Sequence, residues 1–338
     1  MTSRERVRRA IEFDGPDRVP FHTFVFPGAW KRHGQALADL LNEFPDDFGN
    51  RDYRVPVDSE SAQGIEEYRD DWGTLWVRRR DYTSGEVKEP AIPDWAGWRG
   101  YQFPGEAGPK HFAAMAAEAS DPARDYFLLG GGGSLFQHMQ HLRGPANLFV
   151  DLAQDRREVH ELADRLVARM NRENARYIEA GVEALTFGDD WGAQSALLIS
   201  PQMWRRFFKP RYRSLFAVAR NAGRHVWFHT DGWIWEIMDD LIEIGVTILN
   251  PQHEVMGTAR VGERIGGRVC VRSDLCRQRI LPRGTPAEVR AHVREVIHAF
   301  GRFNGGLILH GEIGPDVPLE NIRAMYEAYR ELGQYPVS

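Results

Sequence analysis

Short apolar segments that end in polar residues, each followed by a helical pattern, recur along the second half of the chain. The apolar segments predict strands at 184–187, 225–229, 246–249, 269–271 and 307–309. Ser200-Pro201 predicts the start of one helix, with serine as the N-cap and proline at the first helical position. Thr285 and Glu288 predict a capping box at another. Repeated strand–helix units with short connections indicate a parallel sheet covered by helices.

The first half of the chain adds two further strands to this pattern. One is expected at 19–25, and one at 126–129 just before the glycine run Gly130–Gly133. Strand–helix units repeated in this way along 338 residues favour a closed (β/α)8 TIM barrel of the α/β class over an open sheet. We expect residues 1–338 to form one barrel domain, with its chemistry at the carboxyl ends of the strands.

Residues 45–110 interrupt the strand–helix rhythm. The segments 74–80 and 86–92 flank Ser84-Gly85 and predict a β-hairpin. The region is rich in aromatic residues, as an inserted cap or a subunit contact would be. We therefore predict an insertion in the barrel rather than a second domain, and a homodimer.

Composition narrows the class of protein. The chain is 42% hydrophobic and 27% charged with a formal net charge of −5, which is typical of a globular protein in solution. The short run Arg78-Arg79-Arg80 is expected to be a solvated strand end, so neither nucleic acid nor an anionic membrane is expected as a partner. No signal-peptide pattern and no apolar stretch of membrane-spanning length is present. Two cysteines, Cys270 and Cys276, form no disulfide framework, and a cytoplasmic location is expected.

Two strand ends carry a histidine and an acid separated by one residue. His229 and Asp231 end the strand 225–229, and alternation along a strand should point both side chains the same way. His310 and Glu312 repeat this spacing after the last strand. If both pairs face the mouth of the barrel, their oxygen and nitrogen atoms can bind a divalent metal ion. Alternatively, such a pair can exchange a proton.

Other polar strand ends supply further candidates. Asp190 and Asp274 are predicted to be catalytic, together with His229 and Asp231. The residues predicted to line the substrate pocket are His22, Trp191, Gln252 and His253. The run Gly130–Gly133 lacks the spacing of a nucleotide-binding loop, so it is more typical of close backbone approach than of phosphate binding.

The sequence resembles the uroporphyrinogen decarboxylase superfamily over nearly its whole length, most closely its bacterial branch related to corrinoid-linked methyltransferases. The resemblance rests on Phe187–Gly192, Leu198–Pro201, Phe208–Tyr212, Phe228–Gly232, Ile248–Pro251, Leu281–Pro286 and Pro315–Asn321. It implies a (β/α)8 barrel, in agreement with the strand pattern. It also makes a homodimer the expected assembly.

Two departures from the family patterns bear on function. True decarboxylases of the family carry an Arg-Gln-Ala-Gly-Arg segment after the first strand, where this chain has 24–30 without an arginine, which argues against porphyrinogen as substrate. The methyltransferase branch holds zinc through His-x-Cys and a distant cysteine. Here the resemblance places His229 and Asp231 at the first two positions, and the third falls beside Gly311, on His310 or Glu312.

The resemblance therefore implies a methyltransferase-like enzyme. It would transfer a methyl group from a small methylated, most naturally O-methylated, substrate to a corrinoid carrier protein. Zn²⁺ would act as a Lewis acid, and cobalamin would come only with the partner protein. Two alternatives remain open: a metal-independent decarboxylase or lyase that uses Asp190 and His229 on a small carboxylate, and a non-catalytic ligand binder.

Overall fold

The architecture is a β-barrel of parallel strands surrounded by helices, in a computed structural model that describes residues 1–49, 51–56, 64–79 and 85–337. The seven parallel strands are β1 Phe21–Val25, β5 Leu129–Gly133, β6 Ala184–Gly188, β7 His225–Thr230, β8 Ile248–Pro251, β9 Cys270–Arg272 and β10 Leu307–Ile313. Around the barrel they lie in the order β1-β10-β9-β8-β7-β6-β5. A separate antiparallel sheet consists of β2 Ile65–Arg69, β3 Leu75–Arg79 and β4 Glu86–Glu89.

Helices follow the strands and cover the outside of the barrel. The α-helices are α1 Ser3–Glu12, α2 Pro27–Asn42, α3 Pro109–Ser120, α4 Leu135–Arg143, α5 Pro145–Ala153, α6 Arg157–Glu179, α7 Pro201–Met203, α8 Lys209–Asn221, α9 Met238–Glu243, α10 Thr258–Ile265, α11 Ile280–Arg283, α12 Pro286–Phe300 and α13 Leu319–Leu332. Short 3₁₀ turns lie at 98–100, 235–237 and 253–256, and a π-helical turn at 204–208 joins α7 to α8. The predicted caps are present: Ser200 caps α7, and Thr285 with Glu288 forms the capping box of α12.

Asp47 closes the barrel between the edge strands β1 and β5. Its backbone N–H donates to the Phe21 carbonyl at 3.1 Å, and its own carbonyl accepts from the Phe127 N–H at 3.4 Å. Its fully buried carboxylate pairs with Arg6 and Arg18 and accepts from the Phe21 N–H. The predicted TIM-barrel fold is therefore confirmed, with a single residue in place of a full strand at this position.

Helix α1 seals the amino-terminal end of the barrel. Val7 and Ile11 pack into a cluster inside the barrel with Ala184, Ile248 and Ile308, which come from three different strands. This apolar plug leaves the opposite end, where the strands finish, for polar chemistry.

Several strand bounds differ from the sequence prediction. The last strand, expected at 307–309, runs to Ile313, so that His310 and Glu312 lie inside it. The strand expected at 126–129 begins only at Leu129, and the glycine run lies inside it. A Cβ at Gly132 would lie 1.8 Å from the Thr186 carbonyl oxygen, so glycine is needed for β5 to pack against β6. The strand expected at 246–249 is Ile248–Pro251. Val246 instead bonds back to the Leu241 carbonyl and ends the preceding helix.

The region 45–110 contains the predicted hairpin. β3 and β4 pair antiparallel, although Arg80 and Ser84 of the predicted strand end and turn fall outside the described residues. The aromatic side chains pack onto the barrel helices. For example, the Trp72 ring lies 4.1 Å from that of His138 on α4, and the Trp98 indole N–H donates to Glu161 on α6. Among the described helices, none combines the length and apolar character needed to cross a bilayer.

Candidate functional site

A cavity of about 480 Å³ opens at the carboxyl ends of the barrel strands. Its wall combines apolar and polar side chains from all seven parallel strands. The lining residues are His22, Phe24, Leu129, Gly130, Thr186, Phe187, Gly188, Trp227, His229, Asn250, Arg272 and Glu312. Such a mixture can enclose a small molecule with an apolar body and a few polar groups.

Asn250 fixes the orientation and tautomer of His229. The two residues lie side by side on β7 and β8, and His229 Nδ1 is 2.8 Å from Asn250 Oδ1. The Asn250 amide nitrogen donates to the Arg272 carbonyl at 2.9 Å, which leaves the amide oxygen to face the imidazole. The imidazole therefore carries its hydrogen on Nδ1, and Nε2 presents a lone pair.

Two carboxylates face that lone pair. His229 Nε2 is 3.7 Å from Asp190 Oδ1 and 3.8 Å from Asp231 Oδ1. One donor atom from each residue lies within 4.8 Å of the others. Two ligands held about 2.1 Å from one tetrahedral ion are roughly 3.4 Å apart. Asp231 Oδ1 is buried and finds no hydrogen-bond partner in the described part of the chain. This donor set therefore fits a divalent cation.

A backbone contact between two glycines brings the carboxylates together. Gly192 lies two residues after Asp190, and Gly232 lies directly after Asp231. The backbones of the two glycines are in contact. A Cβ at Gly192 would lie 2.1 Å from the Trp233 nitrogen, and one at Gly232 would lie 2.0 Å from the Gly192 oxygen. The Asp231 N–H also donates to Asp190 Oδ1 at 3.1 Å. The loops after β6 and β7 thus act as one unit.

The two acids repel each other across the gap. Burial, and next the negative charge of Asp231, raise the pKa of Asp190 above its ordinary value. Gln137 holds the second Asp190 oxygen through a 2.7 Å hydrogen bond. A cation between the carboxylates would remove this repulsion, which is a second reason why the group suits a metal.

Asp190→Asn is expected to raise the melting temperature of the chelator-treated protein at pH 7 by a few degrees at most. The raised pKa means that folding disfavours the ionised carboxylate of Asp190. The loss of stability that this causes is fully present above the pKa of Asp190 in the folded protein, and it disappears as pH falls below the pKa of Asp190 in the unfolded chain. Thermal unfolding in EDTA at pH 7 and pH 3 checks this, with a gain only at pH 7. The gain is expected to be small for two reasons: the side chain is 39% exposed, so solvent screens the repulsion, and asparagine keeps only one oxygen for the Gln137 and Asp231 donors. A loss of stability at pH 7 would contradict the repulsion.

Arg277 neutralises the outer side of the site. Its guanidinium donates to Asp231 Oδ2 at 2.5 Å and to Glu312 Oε2 at 2.7 Å. Glu312, predicted as a metal ligand, is thus held in an ion pair, although burial still raises its pKa. Sequence reasoning missed Arg277. Its position in the loop after β9, three residues beyond Asp274, was the available signal.

His310 and Asp274 lie together in the barrel, outside the group of three donors. His310 is fully buried, its Nδ1 donates to the His22 carbonyl at 3.0 Å, and its Nε2 is 3.6 Å from Asp274 Oδ1. Burial, followed by the charge of Arg272, holds the pKa of His310 far below its ordinary range. The imidazole is therefore neutral. The structure brings together His229, Asp231 and Asp190, while His310 and Glu312 have other partners.

The four predicted pocket residues divide into two groups. His22 lines the cavity, and Gln252 supports the site from behind by accepting the Gly232 N–H at 3.0 Å. Trp191 and His253 are fully buried and, like Gln252, do not line this cavity. Trp191 stacks on Phe136 at 4.0 Å, outside the barrel wall. His253 Nδ1 lies 3.0 Å from the Thr258 hydroxyl. Side-chain alternation and the turn after each strand direct them into the helix layer.

The fold and the site define a (β/α) barrel protein with an imidazole and two carboxylates gathered at its strand ends. Residues 87–332 match the family model for uroporphyrinogen decarboxylase (URO-D). The chain therefore belongs to the uroporphyrinogen decarboxylase family.

Curated relatives agree with this assignment at low identity. The chain is 28% identical over 215 residues to the uroporphyrinogen decarboxylase of Thermus thermophilus, a match that covers 61% of this chain and 60% of that protein. The Pseudomonas paraeruginosa enzyme is 26% identical over 183 residues, with 52% and 49% covered. The matches thus span about half to three fifths of the relatives' length.

One solved structure has the same fold along the whole chain. A methyltransferase from Methanosarcina mazei superposes with a TM-score of 0.70 over 98% of this chain and 99% of that one, at 18% identity. This likeness shows that the barrel fold extends along the whole chain, in agreement with the family match.

Proposed function

We propose that this protein transfers a methyl group from a small O-methylated substrate to a corrinoid carrier protein, with Zn²⁺ held by Asp190, His229 and Asp231. The observation that carries the proposal is the convergence of one imidazole nitrogen and two carboxylate oxygens beside an open cavity. Three protein ligands leave one position for a substrate atom, as in catalytic zinc sites. The structural neighbour from Methanosarcina mazei is a methyltransferase, and this likeness and the resemblance of the motifs support the same class of reaction.

Each residue of the site has a defined part in this proposal. Zn²⁺ would supply a Lewis acid for the oxygen that carries the methyl group. As the methyl group passes to the cobalt of the corrinoid protein, its bond to that oxygen would break, and the alcohol product would take its proton from solvent. Asn250 keeps the lone pair of His229 Nε2 directed at the gap. Arg277 holds the second oxygen of Asp231, so that Oδ1 is left for the cation. The apolar walls formed by Leu129 and Trp227 exclude water from the methyl group.

Asp190 is the third donor that we favour, because it lies closest to His229 Nε2 among the carboxylates described above. The earlier prediction placed His310 or Glu312 there. Glu312 would first have to leave Arg277. The cobalamin belongs to the partner protein, which would approach the open mouth of the cavity.

The test compares the full-length protein with His229→Ala. We expect about one zinc per wild-type chain and less than about a tenth of that in the variant, because the variant keeps only two ligands. His298→Ala, which removes an exposed imidazole on α12, is the matched control and should keep its zinc. Plasma emission spectrometry measures the metal. Methylcobalamin absorbance reports methyl transfer from methoxylated compounds to a corrinoid protein.

A metal-independent decarboxylase is the second candidate, favoured by the raised pKa of Asp190 beside His229, which could form an acid–base pair. It predicts release of CO₂ from a small carboxylate that EDTA does not inhibit, with no requirement for a corrinoid protein. Negligible zinc in both wild type and His229→Ala, together with such activity, would favour the decarboxylase over the methyl-transfer proposal.

A non-catalytic binder is the third candidate, and it would give neither CO₂ nor methylcobalamin. The open cavity is compatible with this third role.

A further inference from the structure

Arg272 presents a buried guanidinium to the inner part of the cavity. The residue is 8% exposed and lines the cavity together with His22 and Trp227. Its guanidinium carbon lies 5.0 Å from the centroid of the Trp227 ring, and one N–H donates to Asn250 Oδ1. The aromatic face and the amide hold the guanidinium rigidly, so its remaining N–H groups have a fixed direction.

The charge of Arg272 is incompletely neutralised. Its nearest carboxylate oxygen in an ion pair, Asp274 Oδ1, is 3.4 Å away and also lies 3.6 Å from His310. Its second nitrogen meets only the neutral His22 Nδ1 at 3.4 Å, and its Nε has no partner among the described residues. Burial, and then the charge of Arg272, lower the pKa of His22 to about 3, so His22 adds no second positive charge.

Arg277 provides an internal comparison. It forms ion pairs of 2.5 and 2.7 Å with Asp231 and Glu312. Although burial opposes the charge of Arg277, these two carboxylates raise its pKa, whereas burial lowers the pKa of Arg272. A buried charge is costly unless a counter-ion and hydrogen bonds compensate for it. Arg272 therefore has room for one more negative group, and Arg277 does not.

The surroundings select the kind of negative group. Asp274 and Glu312 lie near Arg272 and would repel a doubly charged phosphate. A planar, singly charged carboxylate matches the fork of a guanidinium. Arg272 and His229 Nδ1 share Asn250 Oδ1 as acceptor, so the acid group would sit only about an imidazole ring away from the three metal-site donors. Such a substrate must be small.

We propose that Arg272 binds the carboxylate of the substrate, which makes the natural substrate class a small methylated carboxylic acid with an apolar body against Trp227 and Leu129. The identity of the methyl-bearing end rests on the proposed function. The carboxylate subsite itself rests on Arg272, His22 and Asp274 and needs no bound metal.

The experiment measures binding of two probes of the same shape, 4-methoxybenzoate and 4-methoxybenzamide, by isothermal titration calorimetry. The full-length protein is titrated both as purified and in EDTA. We expect the acid to bind at least about tenfold more tightly than the amide under both conditions, because a charge-assisted hydrogen bond to a buried arginine is strong. In Arg272→Met, which keeps an unbranched side chain but removes the charge, both probes should bind within about twofold of each other. Arg272→Lys should keep part of the preference.

Controls separate the subsite from its neighbours. The double variant Arg272→Met/Asp274→Asn removes both charges of the ion pair together. It replaces the single variant if circular dichroism shows that the single variant does not fold. Its acid and amide affinities should also be nearly equal. Inorganic phosphate at the concentration of the probe should not displace the acid. Displacement would overturn the carboxylate assignment.

Several results would overturn the inference. They are equal binding of acid and amide to the wild type, no binding of either, a preference that survives Arg272→Met, and a preference that EDTA abolishes. The last would mean that the metal holds the acid. If methyl transfer fails but the protein still prefers the acid to the amide through Arg272, only the proposed function is contradicted. If methyl transfer occurs without that preference, only the carboxylate subsite is contradicted.

Discussion

Gly192→Ala is expected to destabilise the protein by about 3 kcal/mol and to weaken the zinc binding that we propose at least about tenfold. The new methyl group would lie 2.1 Å from the Trp233 nitrogen and 2.4 Å from the Gly232 carbonyl carbon, both of which are backbone atoms that cannot move aside alone. The loops after β6 and β7 would have to separate, and Asp190 would move away from His229 and Asp231. Urea unfolding measures the stability, and competition with a zinc-binding dye measures the affinity.

Gly97→Ala is the matched control, because Gly97 has an ordinary backbone conformation and nothing lies within 4 Å of a Cβ built on it. It should leave stability within about 0.5 kcal/mol and zinc affinity unchanged. If Gly192→Ala kept wild-type zinc affinity despite lower stability, the glycine contact would not be what positions the two carboxylates.

Asp47→Ala is expected to cost about 3–5 kcal/mol of unfolding free energy. The fully buried carboxylate is paired with Arg6 at 2.7 Å and with Arg18 at 2.9 Å, and it also accepts the Phe21 N–H at 3.0 Å. Its removal leaves the buried Arg6 with one carboxylate fewer, at the residue that joins β1 to the start of β5. Urea unfolding followed by circular dichroism gives the change.

Asp17→Ala is the control for Asp47→Ala because Asp17 pairs with the same Arg6 at 2.5 Å, but its side chain is 41% exposed. Water can replace much of what Asp17 provides, so the expected cost is about 1 kcal/mol or less. Equal losses in the two variants would show that barrel closure adds nothing to the ion pair with Arg6.

The barrel could be predicted from the sequence because strand periodicity and helix caps are local signals. The capping box at Thr285 and the strand at 225–229 needed no knowledge of the rest of the chain. Barrel closure by Asp47 could not be predicted, because it depends on Phe21 and Phe127, which are distant in sequence. A single residue that bridges two strands leaves no periodic pattern.

The site was only partly predictable for a related reason. The spacing of His229 and Asp231 places both side chains on one face of the strand. The position of Asp190 beside them depends on the contact between Gly192 and Gly232, which the sequence does not reveal. Arg272 ends β9 and Arg277 lies in the loop that follows, but the chain has many arginines, and only the packing shows what these two contact. Trp191 and His253 adjoin functional strand ends, yet the backbone turns them towards the helices.

Asn250 offers one amide oxygen to two donors, the imidazole of His229 and the guanidinium of Arg272. An acid bound to the guanidinium would weaken the hydrogen bond from Arg272 to that oxygen. The hydrogen bond from the His229 imidazole to the same oxygen would then become stronger. A stronger acceptor at Nδ1 makes Nε2 a better electron donor. Capture of an acid and retention of a cation would therefore reinforce each other, and thermodynamic reciprocity requires the same gain in both directions.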